Sequence, residues 1–164
     1  MTQAPTFISY SRRQIYFAES LALHLQNEGL NIWFDLQELQ AGTVWADGLT
    51  HGVGEASQMV LVVSQAALDS PYTQQEWKTF ISRGNRPVLV IFEPVELPEL
   101  LKGMPTFDLR AGFKHKVKAL AAYLRGEVEP QYDRIPKRKA FGLPGILPGG
   151  VWAALTAIFA HLLA

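Results

Sequence analysis

Two uninterrupted aliphatic runs constrain the fold of this chain more than any other feature. Met59–Val63 reads MVLVV and Pro87–Phe92 reads PVLVIF, so neither run has polar residues at alternate positions. A half-exposed strand alternates apolar and polar side chains, whereas a strand covered on both faces is apolar throughout. The two runs therefore predict buried strands in a parallel sheet that carries helices on both faces.

Amphipathic helices are predicted on either side of these strands. Ile15–Glu28 has apolar residues at positions 15, 18, 21, 22 and 25, a spacing that lines one face of a helix. Gly29 follows it and is typical of a helix end. Phe113–Leu124 is a second amphipathic helix.

Three further strands complete the predicted sheet. Thr6–Tyr10 and Leu30–Asp35 flank the first helix, and this short strand–helix–strand spacing requires a right-handed parallel crossover. Thr106–Leu109 is a short edge strand. The alternation predicts a flavodoxin-like α/β domain, with five parallel strands and helices on both faces, that ends near Arg125.

The stretch Ser64–Trp77 joins the third strand to the next predicted helix, Tyr72–Ser82. Ser70 and Pro71 supply the chemistry of a helix start. Glu76 then lies near that start and just past the carboxyl end of a strand, where open α/β sheets bind ligands. From the residues alone, Glu76 either complements the helix dipole or belongs to a ligand site. The side chains predicted to face inward from this helix are Trp77, Phe80 and Ile81.

Composition excludes several classes of function. The chain has 15 basic and 15 acidic residues, so no net field attracts nucleic acid. Cysteine is absent, which excludes disulfides, thiolate catalysis and zinc sites with cysteine ligands. The histidines are scattered without metal-ligand spacing, and no metal site is expected. They are His24, His51, His115 and His161.

The composition of the chain changes after residue 125 and again after residue 139. Residues 126–139 are polar and predict a linker, whereas residues 140–164 contain no Asp, Glu, Lys or Arg. A helix that starts near Pro148 would have about 17 residues, the lower limit for a membrane span. The basic residues at 137–139 would keep the folded domain on the cytoplasmic side of that membrane. An amphipathic or partner-binding tail is the alternative.

Four motifs resemble those of a bacterial-type Toll/interleukin-1 receptor (TIR) domain, over about residues 5–125. They are Phe7–Ser11 (FISYS), Asp35 at the end of the second strand, Glu38–Gly42 with Trp45, and Ser64–Trp77. The resemblance implies the TIR fold. It also implies one of two functions, because TIR domains either cleave NAD at the nicotinamide–ribose bond or only assemble signalling complexes.

The resemblance assigns the catalytic role to Glu76, which matches the decisive glutamate of the NAD-cleaving members. One carboxylate is chemically sufficient, because nicotinamide leaves NAD as a neutral molecule and needs no general acid. Most glycosidases differ, since they protonate a leaving oxygen. An ionised Glu76 would bind ribose hydroxyls and stabilise the oxocarbenium-like charge. NAD is then a substrate, and no cofactor is expected.

The resemblance also implies a set of residues that contact NAD. Arg12 suits a phosphate oxygen, Gly42 lets the loop backbone approach, and Trp45 offers an aromatic face. Ordinary roles stay open, with Tyr10 and Trp45 in the core and Arg12 at a solvated helix start. The full set is Tyr10, Ser11, Arg12, Asp35, Gly42 and Trp45.

Some features depart from the NAD-cleaving pattern. Tyr72 and Thr73 stand where such members often have a small or sulfur-containing residue, and Gln40 stands where some have an acidic one. A non-catalytic adaptor that acts through TIR–TIR contacts is therefore the alternative function. A phosphate receiver is disfavoured because the first strand lacks an acidic cluster. A dinucleotide-dependent oxidoreductase is disfavoured because no glycine-rich phosphate loop follows that strand.

The resemblance further implies control by self-association. In TIR enzymes the loop after the second strand, here Leu36–Val44, often completes the site of a neighbouring domain. A membrane tail would confine the domains to two dimensions and raise their effective concentration. Bacterial relatives often serve in antiphage defence, which is the expected context of this chain.

Overall fold

The computed structural model of this protein describes residues 5–33 and 56–135. Its strands are β1 Thr6–Ser9, β2 Ile32–Trp33, β3 Gln58–Val63, β4 Val88–Ile91 and β5 Thr106–Asp108. Its α-helices are α1 Ile15–Asn27, α2 Gln65–Asp69, α3 Pro71–Ser82 and α4 Phe113–Leu124. Two short 3-10 helices are Arg12–Gln14 and Glu99–Leu101.

The sheet has the predicted form, five strands in the order β2-β1-β3-β4-β5. Every neighbouring pair of strands is parallel. The order reverses at β1, because α1 carries the chain from β1 to β2 on one side, whereas β3 pairs on the other side. The flavodoxin-like α/β prediction is confirmed for the sheet. Such a reversal opens a crevice at the carboxyl ends of β1 and β3.

Two apolar cores lie on opposite faces of the sheet, as the aliphatic runs predict. In β3, Val60 and Val62 join the core that contains α1 and α4, whereas Met59, Leu61 and Val63 join the core that contains α3. β4 divides in the same way. Side chains alternate between faces along a strand, so a strand with a core on each face has no place for a solvated residue.

Helix boundaries agree closely with the sequence. Glu28 closes α1, and Gly29 follows with a φ of +86°, a left-handed conformation that favours glycine. α4 has the predicted bounds, and α3 starts one residue before its predicted start because Pro71 occupies the first turn. The short helix α2 was not predicted. Its five residues are too few to show a periodic pattern.

The segment after α4 pairs with the edge of the sheet. The amide of Thr106 donates to the carbonyl of Gln131 at 2.7 Å, and the amide of Asp133 donates to the carbonyl of Thr106 at 2.9 Å. Ile135 packs against the core on the α3 face. The first part of the segment predicted as a linker therefore covers the exposed edge of β5.

Several predictions fall on residues outside the described ranges. They are the loop Leu36–Val44, nearly all of the helix predicted for Trp45–Ala56, and the apolar segment 140–164. Within residues 5–33 and 56–135, no helix is both long and apolar enough to cross a membrane. The membrane segment stays a prediction from the sequence.

Candidate active site

Glu76 lies on the inward face of α3, beside the carboxyl end of β1. The buried side chains of α3 are Thr73, Trp77 and Phe80, and Glu76 occupies the same face, three residues after the first of them. Its side chain is partly buried. Glu76 is the sixth residue of a helix of twelve, so it lies beyond the first turn, where the helix dipole acts. The dipole does not account for this position.

A short hydrogen bond joins the strand to the helix at this point. The hydroxyl of Ser9, the last residue of β1, donates to Oε2 of Glu76 at 2.6 Å. That distance is typical of a hydroxyl bound to an ionised carboxylate. A net contribution of about 1.5–3 kcal/mol is usual for a hydrogen bond to a charged group. The described part of the site therefore contains an oriented carboxylate at the reversal of the sheet.

The start of α3 is capped by its own residues and contacts the chain just after β1 through Thr73. Ser70 caps the helix by accepting from the amide of Thr73, and Pro71 occupies the first position. The Thr73 hydroxyl is 3.5 Å from the carbonyl of Tyr10, and Thr73 is only 2% exposed. Its small side chain lets α3 approach the strand end closely. Tyr72, by contrast, is on the surface, one turn before Glu76.

The predicted NAD-contacting residues of the first loop occupy different surroundings. Tyr10 packs partly against the core on the α1 face, whereas Phe7 belongs to the core on the α3 face. Ser11 caps the first 3-10 helix by accepting from the amide of Arg13. Arg12 is exposed, directly after the carboxyl end of β1. Ser11 and Arg12 thus lie at the crevice edge of the sheet, while the ring of Tyr10 contributes to packing.

The other predicted residues are not part of the described chain. Asp35, Gly42 and Trp45 fall between residues 34 and 55. Within the described ranges, no group of three or more histidine or acidic side chains is arranged to hold a metal ion. The chemistry available in the described part of the site therefore rests on carboxylate, hydroxyl and guanidinium groups.

Two residues near the site were missed in the sequence. Ser9 belongs to the strand motif FISYS, in which the resemblance gave a role only to Tyr10 and Ser11. Its contact with Glu76 spans 67 positions of the chain. Gln14 follows the arginines of the 3-10 helix and is buried against Ser64. One feature of the sequence could have indicated both residues. Each is a polar side chain at a position that the apolar pattern assigns to the interior.

Comparison with known proteins identifies the fold and the family. The family model described as "TIR domain" matches residues 6–123. A solved TIR domain from the Toll-related receptor TRR-2 of Hydra magnipapillata superposes with a TM-score of 0.65 at 14% identity. It covers 75% of this chain and 99% of the receptor domain, and at this identity it supports the fold alone.

A curated relative adds a more specific similarity. The chain is 25% identical over 104 residues to the 2' cyclic ADP-D-ribose synthase BtTIR of Bacteroides thetaiotaomicron. The match covers 61% of this chain and 36% of the synthase, so the chain spans about a third of that relative. The similarity therefore concerns one part of a longer enzyme.

Proposed function

Because the chain belongs to the TIR domain family, we propose that it cleaves NAD at the bond between nicotinamide and ribose. The observation that carries the proposal is the position of Glu76, partly buried on the inward face of α3 at the sheet reversal. A glutamate with no role beyond solubility would lie on the outward face, where it costs nothing to hydrate.

The reaction needs one negative group beside the ribose. When the glycosidic C–N bond breaks, nicotinamide leaves with the bonding electron pair as a neutral molecule, and positive charge develops on the ribose. An oriented carboxylate stabilises that charge more strongly than it stabilises the ground state. The cation is then captured either by water or by a hydroxyl oxygen of the same molecule. The attacking oxygen loses its proton in both cases, and the product is ADP-ribose in the first and a cyclic isomer in the second.

The relative from Bacteroides thetaiotaomicron supports this chemistry. Its name specifies a cyclic ADP-ribose product, which is what NAD yields when nicotinamide leaves and a hydroxyl of the remaining nucleotide closes on the ribose. Arg12 lies at the same edge of the sheet as Glu76 and offers charge-assisted hydrogen bonds to a phosphate. Asp35, Gly42 and Trp45 complete the proposed NAD site by the family resemblance.

Self-association belongs to the proposal as its means of control. The loop Leu36–Val44 would complete the site of a neighbouring domain, and the apolar segment 140–164 would hold the domains together at a membrane, with the TIR domain on the cytoplasmic side. Specific activity should then rise with protein concentration. A dilute monomer without residues 126–164 that is as active as the clustered chain would contradict this control.

The test of catalysis is release of nicotinamide from NAD by the clustered chain, with Glu76→Gln as the variant. The amide can still accept from Ser9, so the fold is kept while the charge is lost. We expect a loss of activity of about 10²–10³-fold, the usual effect of removing one stabilising group from a site. Glu99→Gln is the matched control, because Glu99 is an exposed glutamate paired with Lys102.

Circular dichroism of each variant verifies the fold, and chromatography of the products separates ADP-ribose from cyclic isomers. Equal activity in Glu76→Gln and wild type would overturn the role of the carboxylate. No nicotinamide release from clustered wild-type chain would favour the interaction module instead of the enzyme.

A further inference from the structure

We propose that Ser9 is a positioning residue for the Glu76 carboxylate, an inference that rests on the proposed NAD cleavage. Ser9 is 1% exposed, and its hydroxyl donates to Oε2 of Glu76 at 2.6 Å. A buried hydroxyl without a partner destabilises a fold, so a serine in this interior position requires the acceptor that Glu76 provides.

Both ends of this hydrogen bond lie on rigid elements. β1 is an inner strand, bonded to β2 on one side and β3 on the other, and Ser9 lies opposite Leu61 in the register. α3 is held to the sheet by the buried rings of Trp77 and Phe80. The separation of the Ser9 hydroxyl from the Glu76 carboxylate is therefore set by the fold and not by a mobile surface side chain.

The hydrogen bond restricts the last side-chain torsion of Glu76, which has no sharp intrinsic preference. Rotation about the last bond of a glutamate is broad and roughly two-fold, so the carboxylate plane is ill defined without a specific partner. A donor in a fixed strand sets that plane. Since misplacement of a reacting group by about 1 Å costs on the order of 100-fold in rate, orientation of the carboxylate has a direct kinetic consequence.

The chemical nature of the donor also suits the reaction. A lysine or arginine at position 9 would orient the carboxylate but would place a positive charge beside the developing oxocarbenium ion. A serine hydroxyl is a neutral donor, which orients the carboxylate and leaves its negative charge available to the ribose.

The test compares Ser9→Ala with Thr6→Val in the full chain. Thr6 is a matched control because it lies on the same strand, is 1% exposed, and donates its hydroxyl to Oε1 of Gln58 at 2.9 Å, away from Glu76. We expect Ser9→Ala to lower kcat for nicotinamide release by about 10–100-fold, with KM for NAD within about three-fold of wild type. Thr6→Val should leave kcat within about two-fold. Ser9→Thr, which retains a hydroxyl, should recover part of the loss.

An unchanged kcat in Ser9→Ala, or an equal loss in Thr6→Val, would overturn the positioning role. A double-mutant cycle of Ser9→Ala and Glu76→Ala in denaturant unfolding tests the contact without any activity. Additive effects in that cycle would also overturn the proposal. The cycle can also show coupling while the clustered wild-type chain releases no nicotinamide. That result would overturn the proposed function and the kinetic role, and Ser9 and Glu76 would remain a structural pair.

Discussion

The hydroxyl of Ser64 donates to Oε1 of Gln14 at 3.0 Å, and both side chains are buried. The same hydroxyl accepts from the amide of Ala67 and so caps α2. One serine thus connects the end of β3, the start of α2 and the 3-10 helix that follows β1. These three segments meet at the carboxyl ends of β1 and β3.

Ser64→Ala should therefore cost more stability than the loss of a cap alone. It removes the cap and leaves a buried amide oxygen of Gln14 without its donor, for a combined loss of about 2–3 kcal/mol in the free energy of unfolding. Ser70→Ala, which removes the more exposed cap of α3, should cost about 1 kcal/mol. Urea unfolding measures both. The double variant Ser64→Ala with Gln14→Leu should recover part of the loss, and equal losses in the two single variants would contradict the role of Gln14.

Arg12 and Arg13 provide a test of phosphate recognition. Both are exposed in the 3-10 helix after β1, but only Arg12 is proposed to contact NAD. Arg12→Ala should raise KM for NAD about 10–100-fold, the range for loss of a charge-assisted hydrogen bond, with a smaller effect on kcat. Steady-state kinetics at fixed ionic strength measure both constants. The same rise in KM for Arg13→Ala would indicate a general electrostatic attraction and not a specific contact.

The parts of the fold that local patterns specify were predictable. The continuous apolar composition of β3 and β4 predicts buried strands, because a core on each face excludes polar residues. The helical spacing of apolar residues predicts α4, and Ser70 and Pro71 indicate the start of α3. Glu76 was identified by resemblance, since its surroundings in the chain also fit a glutamate that merely complements a helix dipole.

The contacts between distant segments were not predictable. The hydrogen bond from Ser9 to Glu76 depends on the register of β1 against β3 and on the rotation of α3 about its axis. A short stretch of sequence determines neither of these. The pairing of Gln131 and Asp133 with β5 was hidden for a different reason. Polar residues near Pro130 have the composition of a linker, and an edge strand can be covered by a segment with no apolar pattern of its own.

Asp108 should make stability depend on pH in the acid range. Hydrogen bonds from the Arg110 side chain hold the pKa of Asp108 below its usual value, against the opposing effect of burial. Because the folded pKa is lower than the unfolded one, the stabilisation is fully present above about pH 4 and is lost as the pH falls through the folded pKa.

Asp108→Asn should therefore flatten the fall in unfolding free energy below about pH 4, which urea unfolding at each pH measures. Glu127→Gln is the control. Arg125 likewise lowers the pKa of Glu127, but this pair is on the surface, where such pairs contribute little. A larger flattening in Glu127→Gln than in Asp108→Asn would contradict the assignment.

Asp133 should stabilise the edge of the sheet although it lies in a segment with the composition of a linker. Its Oδ2 accepts from the amide of Asp108 at 2.8 Å and from Nζ of Lys116 at 2.6 Å, so one carboxylate joins β5 to α4. Asp133→Ala should lower the free energy of unfolding by about 1–2 kcal/mol, the lower part of the range for charged hydrogen bonds because the pair is partly exposed.

Hydrogen exchange locates this effect. The amides of Thr106 and Asp108 both depend on the paired segment for their acceptors, so they should exchange faster in Asp133→Ala than in wild type. Glu129→Ala is the matched control, an exposed acidic residue of the same segment, and should leave both amides protected. If the two amides kept wild-type protection in Asp133→Ala, the Asp133 carboxylate would not be what holds the segment against β5.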